Sequence, residues 1–143
     1  MIRVVIDTNV LVSAVLSPSG PPFQIIELAN QRLIQLWAST ATFEKYHEVL
    51  GRPQFSKLKE LVDFQLASLS ELCRFVTPRK RVEVSPDRDD DIFLECAEAS
   101  KAHYLVTGNT RHFPERWKYT KRVTPRQFLN LFGTSPRKIR PSG

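Results

Sequence analysis

Only two cysteines, one methionine and five glycines occur in the 143 residues, and no apolar run approaches the roughly 18 residues a membrane-spanning helix needs. Cys73 and Cys96 sit in helical patterns without CxxC spacing, so buried free thiols are expected rather than a bridge. No charged-then-apolar leader opens the chain, and a cytoplasmic, unprocessed protein is expected. Acidic residues are scarce at one end. Residues 101–143 hold Glu115 against ten Lys and Arg, net +9, whereas residues 1–100 hold 14 acids against 11 bases, net −3. A basic end beside an acidic middle suits phosphates guided toward a carboxylate site, or else a solvated surface with a basic tail. The hydrophobic share, 41%, suits one globular domain over 1–133. Residues 134–143, TSPRKIRPSG, have the composition of a basic, disordered tail.

The stretch IRVVIDTNVL at 2–11 organises the rest. Ile2, Val4, Val5 and Ile6 form a short, mostly β-branched run that reads as a buried strand. Asp7 stands where it ends, either raised into the crevice at a sheet's carboxyl edge or serving as a helix cap. Further along, strands are expected at 33–38, weakly within 76–84, at 103–107 and briefly at Val123. Helices are expected over 23–29, over 39–50 with Ser39 as cap, over 57–76 with a clear apolar stripe, over 90–102 and from Phe128. Thr124, Pro125 and Gln127 have the spacing of a helix start. Strands separated by helices argue for a parallel sheet covered on both faces.

Carboxylates carry the chemistry. Asp87, Asp89, Asp90 and Asp91 place four like charges in five residues, and these can share an edge with Asp7 as the segment following the third strand. A helix N-terminus offsets part of that repulsion, and a hard divalent cation offsets more, so both a solvated cap and a Mg²⁺ site stand open. Of the histidines, His112 is nearest this chemistry, beside Asn109 and Arg111, as an acid or a phosphate contact.

Three motifs, DTNVLVSA at 7–14, SPDRDDDIFLECAEASKAHYLVTGNTRHFP at 85–114 and VTPRQFLNLF at 123–132, resemble in this order the PIN domain, and within it the toxins of VapC-type toxin–antitoxin pairs. The resemblance covers Met1 to about Phe132. It implies a three-layer α/β/α sandwich with a parallel five-stranded sheet and a Mg²⁺- or Mn²⁺-dependent endoribonuclease site. It also implies a homodimer and an antitoxin partner. Carried over by residue, it puts the first acid at Asp7, the third at Asp90 with Asp91 beside it as a further ligand, and the fourth at Asn109, which offers a neutral oxygen. The second acid falls on Lys45, one residue after Glu44. A one-residue step turns a helical side chain by about 100 degrees, so Glu44 serves only if the helix adjusts, and Glu48 is a further candidate. Asn9, Thr107, Arg111, His112, Arg116 and Lys118 are the expected contacts to single-stranded RNA. Lys45 and Asn109 equally suit a degenerate, non-catalytic domain that binds RNA or a partner protein.

Overall fold

A computed structural model describes residues 1–133; the tail expected at 134–143 lies outside them. The strands are β1 (Arg3–Ile6), β2 (Gln35–Ala38), β3 (Arg74–Phe75), β4 (Tyr104–Val106), β5 (Arg116–Trp117) and β6 (Thr120–Val123). The helices are α1 (Thr8–Leu16), α2 (Pro21–Asn30), α3 (Thr40–Leu50), α4 (Lys59–Leu72), α5 (Arg88–Ser100) and α6 (Pro125–Phe128), the last running into a π-helical turn over Leu129–Gly133. They build a three-layer α/β/α sandwich around one sheet of order β3-β2-β1-β4-β6-β5.

β1 lies mid-sheet, parallel to β2 on one side and β4 on the other. That explains its unbroken apolar run, since Val4, Val5 and Ile6 are buried. α5 packs across β1, β2 and β4 and against α3, placing Phe93, Leu94 and Cys96 in the core. The chain moves outward from β1 through β2 to β3, then returns over α5 to β4 on β1's other side. The carboxyl ends of β1 and β4 therefore flank the point where strand order reverses, the usual ligand crevice of open α/β sheets.

The sheet has six strands and is mixed, rather than five and purely parallel. β5 pairs antiparallel with β6 through a two-residue turn at Lys118–Tyr119. Lys118 takes φ 54, a conformation usually given to Gly or Asn, so the turn carries no sequence signature. β3 also comes earlier than 76–84. α4 ends at Leu72 with Cys73 as cap, and Arg74–Phe75 pairs with β2, continued by a bond from Val76 N–H to the Ala38 carbonyl. Cys73 and Cys96 are free and buried, and burial pushes both thiols up to about 12. No helix among the described residues is long and apolar enough to cross a membrane.

Candidate active site

At the end of β1, Asp7 is both cap and crevice residue. Its Oδ1 accepts from Thr8 N–H at 2.8 Å, closing the first turn of α1, and its Oδ2 accepts from the Thr107 hydroxyl at 2.8 Å. Thr107 follows β4, is fully buried, and its Oγ1 accepts from Asn109 N–H at 2.9 Å. Two adjacent strand ends are thus tied through one carboxylate. Asn9 adds a second tie, accepting from Gly108 N–H at 3.3 Å.

Against this edge comes the first turn of α5. Asp87 caps that helix by accepting from Asp89 N–H, and Asp90 projects into the same cleft as Asp7. The cleft, about 440 Å³, is lined by Asp7, Thr8, Asn9, Asp87, Asp89, Asp90, Asn109 and His112, with Lys45, Val49, Arg52, Gln54 and Phe55 opposite. A second hollow of about 570 Å³ shares Asp87, Asp90 and His112 and adds Arg111 and Pro114, so the two adjoin along these residues and are together called the groove.

Electrostatically the two central carboxylates are costly. Burial raises the Asp7 pKa, with the Thr107 and Thr8 bonds and the His112 charge opposing it. Asp90 is raised by burial and then by Asp7, Asp87 and Asp89, with His112, 3.7 Å away, opposing. A cation beside them would favour their ionised forms.

Residues 3–111 match the family model described as the PIN domain. This chain belongs to the PIN domain family. A curated relative, the uncharacterized protein MJ1680 of Methanocaldococcus jannaschii, is 27% identical over 143 aligned positions, 92% of each chain. Two solved structures share the fold. VapBC2 of Rickettsia felis, bound to a DNA fragment from its promoter, has a TM-score of 0.60 at 13% identity, over 86% of this chain and 98% of that one. VapBC-1 of nontypeable Haemophilus influenzae has a TM-score of 0.56 at 14% identity, over 87% and 99%.

In this PIN domain the fold brings Asp7, Asn9, Asp90, Thr107, Asn109 and His112 together at the crevice, with Arg111 on the adjoining rim. Glu44 and Asp91 stand elsewhere. Glu44 is exposed and does not line the cleft, because α3 turns the next residue, Lys45, toward it. Asp91 is buried and its Oδ1 accepts from the backbone N–H of Val84 and Ser85, pinning the loop before α5. Arg116 is exposed on the edge strand β5, outside the groove. Lys118 lies in the turn preceding β6, at the amino edge of the sheet opposite the cleft, with its ammonium 5.3 Å from the Trp117 ring centroid.

The sequence reading did not single out Arg52, Gln54 and Phe55. Val49 shares the helical face of Lys45, four residues on, whereas Arg52 lies past the end of α3 and reaches back to Glu48 at 2.8 Å.

PIN domains are typically metal-dependent, yet among the described residues no group of three or more His, Cys, Asp or Glu is arranged to hold a metal ion. The reasons are local. Where the resemblance expects an acid, Lys45 donates to Asp89 Oδ2 at 2.7 Å and Glu48 Oε1 at 2.9 Å, bonds that raise its pKa and keep it charged. Asn109 brings no charge either. What remains still suits a hard cation with a sparse protein shell. Asp7 keeps a lone pair free on each oxygen, the Asp90 carboxylate accepts no hydrogen bond, with the His112 ring 3.7 Å away, and the Thr8 hydroxyl is buried without a partner. Mg²⁺ commonly takes one or two carboxylates and completes its shell from water and substrate phosphate.

Proposed function

We propose that residues 1–133 form a cytoplasmic, Mg²⁺- or Mn²⁺-dependent endoribonuclease domain that cleaves single-stranded RNA, as the toxin of a toxin–antitoxin pair. The observation carrying this reading is the convergence of Asp7 and Asp90, both raised by burial, at the sheet's switch point. In this reading Asp7 and Asp90 hold the cation, with Asn109 as a neutral oxygen donor. When bound, the cation supplies Lewis-acid stabilisation of charge developing on the phosphate oxygens. Thr107 fixes the Asp7 carboxylate through its hydroxyl and prevents it from rotating away. Arg111 and His112, exposed along the groove, engage backbone phosphates on either side of the cut, and Asn9 orders the loop that presents Asn109. The antitoxin partner and the homodimer implied by the VapC-type resemblance of the sequence are parts of the same proposal, and the fold shared with VapBC2 and VapBC-1 suits it.

The test is cleavage of a fluorescent single-stranded RNA with Mg²⁺ or Mn²⁺ by the wild type, Asp7→Asn and Asp90→Asn. Cutting by the wild type, lost in both variants and in EDTA, is expected. In cells, expression without a partner is expected to arrest growth, and Asp7→Asn to relieve the arrest.

One observation favours a second reading. The Lys45 ammonium already neutralises Asp89 within the cleft, as a domain that binds RNA or a partner without cutting would permit. Metal-independent RNA binding with no cleavage under either ion would favour it.

A further inference from the structure

Charge in the cleft is divided unevenly. Asp89, Lys45, Glu48 and Arg52 form an open ion-pair chain in that order, with Arg52 to Glu48 at 2.8 Å beside the two Lys45 contacts, and Asp89, Lys45 and Arg52 line the cleft. Asp7 and Asp90 line the same cleft, with Asp87 and Asp89 also close to Asp90 and the His112 ring 3.7 Å from it. An ammonium has three N–H donors, and Lys45 uses two of them on Asp89 and Glu48. Its side chain keeps 19% of its surface exposed and lines the same cleft as Asp7 and Asp90.

These facts limit what the cleft can take. A second divalent ion about 3.5 to 4 Å from the first needs further free carboxylates, and Asp89, the other acid lining the cleft near Asp90, is already paired with the Lys45 ammonium at 2.7 Å. That ammonium retains one donor for an anion. We propose that Lys45 is a resident cation which replaces a second metal ion and grips a substrate phosphate, so that the cleft loads a single divalent ion. The inference rests on the nuclease reading for its metal half, whereas the phosphate grip stands on the Lys45 geometry alone.

Lys45 is here a positioning residue, so metal loading and nucleic-acid affinity are the readouts. Wild type, Lys45→Gln, Lys45→Glu and Lys45→Arg, each checked for folding by circular dichroism, are titrated with Mn²⁺ alone by electron paramagnetic resonance. Each is also titrated, in EDTA across a range of salt, with a single-stranded 2′-O-methyl oligonucleotide that resists cleavage. Wild type is expected to bind one Mn²⁺. Lys45→Glu is expected to bind a second, or to tighten the first by roughly tenfold or more, the scale of replacing a like charge near the site with an unlike one. Lys45→Gln is expected to weaken the oligonucleotide several-fold and flatten the log–log salt slope by about 0.7, one phosphate contact on a single strand. Lys45→Arg should keep that slope.

Two Mn²⁺ on the wild type overturns the single-ion claim. Unchanged oligonucleotide affinity and slope in Lys45→Gln overturns the grip and leaves Lys45 as a staple between α3 and α5. No Mn²⁺ on the wild type even when the oligonucleotide is added to complete the coordination shell, with Lys45→Gln still weakening the oligonucleotide in EDTA, overturns the nuclease reading while upholding the grip.

Discussion

Thr107 illustrates how a residue with no catalytic chemistry of its own sets the site. Its hydroxyl donates to Asp7 in a buried bond and accepts from Asn109 N–H in a half-buried one. Thr107→Val keeps the shape and removes both bonds. Metal affinity is expected to fall about 10- to 100-fold, the usual cost of losing the partner that orients a ligand, and calorimetry with Mn²⁺ checks it. The carboxylates make a converse prediction. Because Asp7 and Asp90 have raised folded-state pKa values, the folded protein holds their protons more tightly than the unfolded chain. Their favourable contribution is complete below the ordinary aspartate range and is lost as pH rises through the raised values, leaving a penalty at neutral pH. Asp90→Asn, which has no accepted hydrogen bond to lose, is therefore expected to melt above the wild type in EDTA at pH 7. The gap should close on acidification through that window. Melting curves with and without Mn²⁺ read both effects, since the cation should raise the wild type alone.

At the scale of elements, the loop before α5 is held by two acids of that helix. Asp91 accepts from Val84 and Ser85 N–H, while Glu95 accepts from Val82 N–H and is paired with Arg88. Asp91→Ala leaves two buried or half-buried donors unpaired and is expected to cost about 2 kcal/mol, seen as a lower Tm. Mn²⁺ binding should persist below that Tm, which separates Asp91 from Asp90. α5 also ends on Lys101 at φ 54, a left-handed position that glycine fills without strain. Lys101→Gly is expected to stabilise by about 1 kcal/mol.

Elements with strong local patterns were legible in the sequence. Ser39 and Thr124 were read as caps, and both make reciprocal capping boxes. β1 and β4 were visible as apolar runs because both are central. β5 was not, since two residues, Arg116 and Trp117, become a strand only by pairing across a turn that lacks glycine. Asp91 could not be told from Asp90 either. In a run of four acids, which one turns into the cleft depends on the helix phase against β1 and β4, and that is a tertiary fact. Lys45 at the expected acid was legible, but its partner Asp89, 44 residues away, was not.

For the molecule as a whole, the basic residues Arg111, Lys118 and Arg122 do not share one surface. Arg111 lies on the groove, whereas Lys118 lies at the opposite sheet edge, and Arg122 is spent holding the loop through the carbonyls of Thr110 and Phe113. Arg111→Gln is expected to weaken single-stranded RNA several-fold and reduce its salt slope, while Lys118→Gln should change neither appreciably. Fluorescence anisotropy at several salt concentrations distinguishes them. The net charge of +6 thus describes long-range attraction, and the groove residues describe where the strand lies.

The central claim is that Asp7 and Asp90 make a working cation site despite Lys45 and Asn109. Calorimetric titration of Mn²⁺ into the wild type and Asp90→Asn, each with a non-cleavable single-stranded RNA present to complete the coordination shell, tests it most directly. The account predicts saturable binding of one ion to the wild type and its loss in Asp90→Asn. No binding to the wild type, or equal binding to both, would contradict it.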